Sequence, residues 1–243
     1  MEKSLYALAW DSKHFGIKSG KYIITPEVMN ENILEALKMN NYSFLTINNI
    51  NNRAEVNYFL GRNTDAFLVD TIISFQKNIQ NVVKHNDNSG IRIVNKSDRQ
   101  IINAIKKLSE KIFVHSRFFN DPNIDNALAR QVYSEWIENA LDSEEKFLIA
   151  IVNKQEEVLG FLLYSIFDNQ VTIELIGVDT HIHSKGCGRK LFEFVETNCA
   201  KQNIEYLFVG TQQNNISAIN FYNHMECTLK QITSIYHLWD VKK

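Results

Sequence analysis

A loop that carries two glycines and two basic residues holds the clearest chemical signal in the sequence. It follows a strand-like segment at residues 171–178 and leads through Gly186 and Gly188 into an amphipathic helical segment. Glycine lets the backbone approach a ligand closely, and the N–H groups of a helix's first turn have no partner within the helix. Such a turn suits phosphate or pyrophosphate, and Lys185 and Arg189 add positive charge. The alternative is an ordinary strand-to-helix turn that needs glycine for a positive φ.

The loop does not match the two common phosphate-binding motifs. A Walker loop needs Gly-Lys-Ser/Thr, and a dinucleotide fingerprint needs three glycines directly after the first strand of a βαβ unit. Metal binding is not expected either. The cysteines at 187, 199 and 227 form no CxxC motif, and the pair His181 and His183 lacks a second cluster of ligands. We therefore expect reduced thiols and no metal cofactor.

One acidic residue, Glu174, lies inside the segment 171–178. A charge on a central strand is unusual unless it faces a cleft. Glu174 is therefore a candidate general base, or an anchor, for an amine that must react unprotonated. A salt-bridged or exposed Glu174 is the alternative.

The elements that must position these residues alternate regularly from about residue 90 onward. Ser97-Asp98 is predicted to cap the first helix, and Asp121-Pro122 is predicted to cap the second and begin its first turn. The predicted order is βααβββαβαβ. Its strands lie at 91–94, 147–152, 158–167, 171–178, 204–209 and 227–239, and its last helix at 215–223.

The first part of the chain predicts a smaller α/β unit. Its strands are predicted at 21–25, 44–47 and 67–75, and its helices at 28–39 and 53–60. The polar stretch 84–90 marks the boundary between a domain at residues 1–88 and a domain at residues 89–243. Residues 52–59 resemble residues 215–222, through an internal duplication or by chance.

The charge balance argues against two classes of function. The chain has 26 basic and 28 acidic residues and a net charge of −2, so binding to nucleic acid or to an anionic membrane is not expected. The longest apolar stretches, 147–152 and 158–167, are too short to cross a membrane, and Glu2 follows Met1 with no apolar signal core. We expect a cytoplasmic protein. An exposed final strand at 228–239 would offer a homodimer interface.

Two motifs resemble the GNAT N-acetyltransferase superfamily. His183-Ser-Lys-Gly186-Cys-Gly188 is similar to its acyl-CoA loop, Arg/Gln-x-x-Gly-x-Gly/Ala, with His183 in place of Arg or Gln. Asn215-Ile-Ser-Ala218-Ile-Asn-Phe-Tyr222 is similar to its downstream Asn-x-x-Ala-x-x-x-Tyr motif. The usual Gly-Phe after that motif is replaced by Glu226-Cys227.

The resemblance implies a fold and a cosubstrate. The fold is α/β, with a C-terminal GNAT domain whose mixed, mostly antiparallel sheet is flanked by helices, and a smaller N-terminal α/β domain. The cosubstrate is acetyl-CoA or a longer acyl-CoA. Its expected contacts are Ile176, Val178, His183, Ser184, Lys185, Gly186, Cys187, Gly188, Arg189, Asn215 and Ala218.

In this superfamily the acceptor amine attacks the thioester directly. The resemblance makes Tyr222 the candidate acid for the departing thiolate, because a phenol holds its proton at neutral pH yet can release it as the thiolate develops. Glu174 is the candidate base. A core aromatic is the alternative interpretation of Tyr222.

Two further segments resemble bacterial nucleotide-amino-sugar N-acyltransferases of the TDP-fucosamine acetyltransferase type. They are Trp10-Asp11-Ser12-Lys-His-Phe15-Gly16 and His115-Ser-Arg117-Phe118-Phe-Asn-Asp-Pro122. The resemblance implies an acceptor that is a dTDP-linked amino-dideoxyhexose used in surface polysaccharide synthesis, such as O-antigen or capsule. Its expected contacts are Trp10, Asp11, His115, Arg117 and Phe118.

Two other functions stay open at the level of sequence. One is a GNAT enzyme for another small amine, such as a polyamine or an antibiotic. The other is a non-catalytic module that binds acyl-CoA. The position of the amine on C3 or C4 of the sugar and the acyl chain length are also open.

Overall fold

The computed structural model describes residues 5–28, 42–80, 82, 88–179 and 186–239. The strands in these ranges are β1 (Leu5–Ala7), β2 (Ser19–Ile24), β3 (Phe44–Ile50), β4 (Phe67–Asn78), β5 (Ile91–Val94), β6 (Lys146–Val152), β7 (Val158–Phe167), β8 (Gln170–Val178), β9 (Tyr206–Gln212) and β10 (Thr228–Trp239). The α-helices are α1 (Ala9–Phe15), α2 (Ala54–Asn63), α3 (Arg99–Ile112), α4 (Asn126–Ala140), α5 (Cys187–Lys201) and α6 (Ile216–His224).

All ten of these strands form one sheet in the order β1-β2-β3-β10-β4-β9-β8-β7-β6-β5. The pairs β2–β3 and β8–β9 are parallel, and the other neighbours are antiparallel. This mixed, mostly antiparallel sheet flanked by helices confirms the predicted fold class. The element order βααβββαβαβ from residue 91 is also confirmed.

The C-terminal part of the sheet buries apolar side chains on both faces. Along β7, Phe161 and Leu163 pack into the cluster that holds the apolar face of α3 and α4, whereas Leu162 packs into the cluster beneath α5. Successive strand residues point to opposite faces, so one apolar run supplies both clusters. The helical spacing of Ile102 and Ile105 places both in the α3 interface, where both are fully buried.

The predicted start of α4 is wrong. The helix begins at Asn126, and the Asp125 carboxylate caps it by accepting a hydrogen bond from the Ala127 N–H at 2.7 Å. Asp121 lies four residues earlier, where its Oδ1 accepts a hydrogen bond from the Asn123 N–H at 2.9 Å and its Oδ2 accepts from His237 and Trp239. Its side chain therefore holds a turn and two distant partners, and it does not cap α4.

The final strand lies inside the sheet. β10 pairs with β3 on one side and with β4 on the other, so the expectation that it is an exposed edge for dimer pairing is wrong. The boundary expected near residue 88 falls between β4 and β5. The sheet runs through both predicted domains. The last strand of the second domain, β10, lies between β3 and β4 of the first, and β4 lies between β10 and β9.

Two parts of the chain repeat the same arrangement. The series β3-α2-β4 and β9-α6-β10 have the same order, and each first strand pairs antiparallel with the last strand of the other series. The similar segments 52–59 and 215–222 each begin just before a helix and cover its first turns, α2 and α6 respectively. An internal duplication therefore stays a prediction. Most of the helix predicted at 28–39 lies outside the described residues.

The longest described helices have 15 residues, and none of the described helices is long and apolar enough to cross a membrane.

Candidate active site

A fork between β8 and β9 opens the sheet. The two strands pair in parallel from Gln170 opposite Tyr206 to Ile173 opposite Val209, and no further. Beyond that point β8 pairs only with β7, and β9 pairs only with β4. The β7–β8 register shifts at Glu174, the extra residue of a bulge, and a bulge bends its strand locally. The fork opens into a cleft of about 670 Å³.

The cleft holds several of the residues predicted to bind the cosubstrate. Ile176 and Val178 line it from the bulged strand, and Gly188 lines it from the first turn of α5. Asn215 and Ala218 line it from the start of α6. The Asn215 side chain also caps α6, accepting a hydrogen bond from the Ala218 N–H at 3.1 Å. This cap gives the Asn-x-x-Ala spacing a structural reason.

The glycine loop begins α5 as its sequence predicts. Gly186 occupies the position before the helix with a φ of +86°, a conformation that favours glycine. Cys187 is buried in the core below the helix, where burial raises the pKa of its thiol. Arg189 pairs with Glu193 at 3.4 Å, and neither Cys187 nor Arg189 lines the cleft. His183, Ser184 and Lys185 lie outside the described residues.

Tyr222 lines the cleft from α6. Its ring packs near Phe75, Phe192 and Phe221, and the residue is 3% exposed. Burial raises the pKa of its hydroxyl far above the ordinary value for tyrosine, so the group is protonated at neutral pH.

Glu174 is engaged by two donors. Lys146 and the indole N–H of Trp136 both donate to its Oε2 at 2.8 Å, and its side chain is 11% exposed. Glu174 lines the cleft, whereas Lys146 lines a second pocket. Of the alternatives for this residue, the structure shows a salt-bridged carboxylate that faces a cleft.

The second pocket, of about 560 Å³, lies on the other side of this contact. Four of the predicted acceptor residues, Trp10, Asp11, Arg117 and Phe118, line it. The fifth, His115, is exposed and does not.

Arg117 ties the pocket wall together. It donates to the Thr46 hydroxyl and to Asp11 at 3.3 Å, and its guanidinium lies over the Phe118 ring at 4.2 Å. Its Nη1 also lies 3.3 Å from His237 Nε2. The surrounding protein already uses most of this side chain's donors.

His237 is a residue that the sequence analysis missed. It is fully buried, and its Nδ1 lies 2.6 Å from Asp121 Oδ2. Because Arg117 can only donate, Nε2 must accept and Nδ1 must carry the proton that bonds to Asp121. Burial lowers the pKa of His237 to about 4, so the ring is neutral near pH 7. No local pattern signals it, because its partners lie over 100 residues away.

Polar strand residues of the pocket were also missed. Lys21, Asn48 and Asp70 line it from β2, β3 and β4. A charge inside a strand was the signal that singled out Glu174, and the same signal is present at Asp70. Among the described residues, no group of three or more His, Cys, Asp or Glu side chains could hold a metal ion.

The cleft and the pocket meet. Ile72, Tyr133, Trp136 and Gln212 line both, so they mark the junction between the two spaces. Gly177 also lines the cleft, where a Cβ would clash with the Ile112 side chain. A group bound in the cleft and a group bound in the pocket can therefore come into contact without crossing the sheet.

Comparison with known proteins agrees with this geometry. The Acetyltransferase (GNAT) family matches residues 110–226. The chain is 29% identical over 141 residues to the spore coat polysaccharide biosynthesis protein SpsD of Bacillus subtilis. The aligned residues are 58% of this chain and 48% of that protein. The chain spans less than half the length of the curated relatives that it matches.

Solved structures show the same fold. A GCN5-related N-acetyltransferase from Sphaerobacter thermophilus superposes with a TM-score of 0.61 at 10% identity, over 91% of this chain and 73% of that one. A tandem GNAT protein from the clavulanic acid biosynthesis pathway gives a TM-score of 0.57 at 10% identity, over 92% of this chain and 76% of that one. Residues 110–226 thus match the acetyltransferase (GNAT) family, a family of acyl-CoA-dependent N-acyltransferases, and the fold of the chain agrees with that match.

Proposed function

We propose that the chain transfers an acyl group from acyl-CoA to the amine of a dTDP-linked 3- or 4-amino-dideoxyhexose, a precursor of a surface polysaccharide. One observation carries this proposal: the cleft at the fork and the second pocket share the junction residues. A transferase needs its donor and its acceptor side by side, and this junction lets the thioester and the amine meet.

Acyl-CoA fits the cleft. Its pyrophosphate would lie at the first turn of α5, next to Gly186 and Gly188, where backbone N–H groups are unpaired. Its pantetheine arm would run along Ile176 and Val178, which have left the β8–β9 pairing at the fork. The thioester would then lie toward the junction.

Tyr222 supports the chemistry. As the amine nitrogen bonds to the thioester carbon, the C–S bond breaks and the sulfur gains negative charge. The buried, protonated phenol lines the same cleft and would give the thiolate its proton.

The acceptor side suits a polar ligand that contains an anion. Lys21 brings a positive charge to the pocket in addition to Arg117, which pairs with Asp11, and Trp10 brings an aromatic ring for a base or sugar face. A diphosphate-linked sugar carries all these groups. The polysaccharide biosynthesis relative supports a sugar acceptor, and its name is the reason to prefer a sugar over another amine.

The test is release of CoA thiol by the purified chain. Acetyl-CoA and a longer acyl-CoA are each paired with dTDP-3-amino and dTDP-4-amino dideoxyhexoses, and with a polyamine and an aminoglycoside. We expect turnover with one sugar, and the productive pair also identifies the amine position and the acyl chain.

Other outcomes identify the alternatives. Turnover with the polyamine or aminoglycoside alone would replace the nucleotide sugar by another small amine. Tight acyl-CoA binding with no turnover would favour the non-catalytic module. A cytoplasmic location and a homodimer remain predictions, and sedimentation of the full chain would test the latter.

A further inference from the structure

The carboxylates beside the junction differ in what they bind. Asp11 pairs with Arg117 at 3.3 Å, and Glu174 accepts hydrogen bonds from both Lys146 and Trp136. One carboxylate oxygen of Asp70, Oδ1, accepts a hydrogen bond from the Thr71 N–H at 2.8 Å. Its other oxygen, Oδ2, is buried and has no hydrogen-bond partner among the described residues.

The protein packs closely around Asp70 and excludes solvent from its side chain. The residue is 6% exposed and lies on β4, with its side chain lining the acceptor pocket. Burial raises the pKa of its carboxyl group to about 6, against the opposing effects of the Thr71 N–H, the Arg117 charge and the nearby Arg117 backbone N–H. A buried acceptor without a donor destabilises the folded state, so a native protein keeps one where a ligand or water completes it.

Asp70 is not alone in this respect. Among the described residues, three buried side-chain atoms without a hydrogen-bond partner belong to residues of this one pocket. The other two of these three are Asn48 Oδ1 and Ser116 Oγ. Two of the three atoms can only accept when Asp70 is ionised, so the pocket suits a ligand that offers several donors, such as amino and hydroxyl groups.

The position of Asp70 relates these atoms to the chemistry. Ile72, at the junction, is two residues further along β4, and both side chains line the same pocket. Two residues of a strand span about 7 Å, roughly the length of one sugar ring. A ligand group bound at Asp70 therefore lies close to the point where the cleft opens.

We propose that Asp70 binds the amino group of the acceptor through Oδ2 and takes the proton that the amine must lose. This inference rests on the proposed function and moves the role of base from Glu174 to Asp70. Glu174, held by its two donors, positions Trp136 at the junction.

The proposed step balances as follows. The acceptor arrives as an ammonium ion, and Oδ2 takes one of its protons. The nitrogen lone pair bonds to the thioester carbon, and the C–S bond pair leaves on sulfur. Tyr222 protonates the thiolate to CoA thiol, and the nitrogen loses its second proton as the amide forms, which restores the Tyr222 hydroxyl. The proton on Asp70 then returns to solvent.

Several charged or titratable groups surround Asp70. Arg117 comes from the α3–α4 loop and Tyr133 from α4, and both interact electrostatically with the carboxylate. Lys21 and Asp11 line the same pocket from β2 and α1. Burial raises the pKa of Tyr133 and lowers that of Arg117 from its ordinary value above 12.

The test compares Asp70→Asn with Asp65→Asn, the same change at an exposed position five residues earlier. With the amine that the wild type acylates, we expect Asp70→Asn to lower kcat/KM for the acceptor by about 100-fold or more. The Kd of acyl-CoA and the activity of Asp65→Asn should not change. The Tm of Asp70→Asn at pH 7 should be equal to or above that of the wild type, because the variant removes a buried charge.

Two outcomes overturn the proposal. One is a kcat/KM for Asp70→Asn within threefold of the wild type. The other is a lowered Tm together with an equal loss of acyl-CoA binding, which would make Asp70 a structural residue. If no amine is acylated by the wild type, the proposed function fails, whereas turnover that survives Asp70→Asn removes this assignment alone.

The wild type gives an independent measurement should Asp70→Asn not fold. Between about pH 6 and the pKa of the acceptor amine, the ammonium ion and the ionised Asp70 both predominate, so log kcat/KM should not change with pH. Below about pH 6, where Asp70 is protonated, log kcat/KM should fall with a slope of one. A slope of one that extends from the amine pKa down to pH 5 would contradict a base at Asp70.

Discussion

The indole nitrogen of Trp136 lies 2.8 Å from Oε2 of Glu174, and this hydrogen bond connects α4 to the bulge of β8. Trp136 is one of the residues shared by the two pockets. The bond therefore fixes the wall between the donor cleft and the acceptor pocket at the place where acyl transfer would occur.

Removing the negative charge of Glu174 should weaken this wall. In Glu174→Gln the amide still accepts from one donor, but Lys146 loses its charged partner in a site that is mostly buried. We expect kcat/KM for the acceptor to fall by about tenfold, mainly through KM. Steady-state kinetics check this, with Glu193→Gln at the surface pair with Arg189 as the matched control. A 1,000-fold loss confined to kcat would instead make Glu174 the base.

Tyr222→Phe should separate chemistry from binding. The ring contacts with Phe75 and Phe192 remain, so folding and acyl-CoA affinity should stay close to the wild type. Loss of the hydroxyl should lower kcat by about 100-fold or more, because its proton is needed as the thiolate forms. Calorimetric acyl-CoA binding and initial rates measure the two effects. An unchanged kcat would leave Tyr222 as a core aromatic.

Two glycine-to-alanine changes should have opposite effects on stability. Gly186 has a φ of +86°, so Gly186→Ala should destabilise the fold by about 1 kcal/mol and weaken acyl-CoA binding at the first turn of α5. Gly61 lies inside α2 with open space around its Cβ position, so Gly61→Ala should stabilise the fold by about 1 kcal/mol and leave binding unchanged. Urea unfolding and acyl-CoA titration measure both. Equal acyl-CoA affinity in the two variants would argue against the loop as the binding site.

The buried His237 predicts how stability changes with pH. Its pKa is lowered to about 4 in the folded state, whereas an unfolded histidine has a pKa near 6.5. Between these values the unfolded chain binds a proton that the folded chain does not, so His237 destabilises the fold by up to about 3 kcal/mol as the pH falls from 6.5 to 4.

The variant His237→Gln should lose this dependence, although it also weakens the contact with Asp121. We expect the variant to be less stable at pH 7 and to lose less stability than the wild type between pH 6.5 and 4. His224→Gln, at an exposed position, is the matched control and should keep the wild-type pH dependence. Chemical unfolding at a series of pH values measures the slopes, and parallel curves for wild type and His237→Gln would contradict the neutral, buried assignment.

Local patterns in the sequence predicted the parts of the site that lie close together in the chain. Gly186 before α5 was found because a positive φ depends on a few neighbouring residues. Asn215 was found through its resemblance to a family motif, and its role as the cap of α6 is seen in the structure. The same reliance on neighbouring residues predicted the wrong start for α4. There Asp121 bonds to His237 and Trp239, whose positions no nearby residue reveals.

By itself, the sequence determined the alternation of strands and helices from residue 91 and the glycine loop, because periodicity and backbone preference act over a few residues. Only the tertiary structure decided that β10 lies between β3 and β4, and that Asp70, Asn48 and Arg117 line one pocket. Strand pairing across more than 100 residues depends on which long-range contacts bury the most apolar surface and satisfy the most backbone groups, and no local pattern contains that comparison.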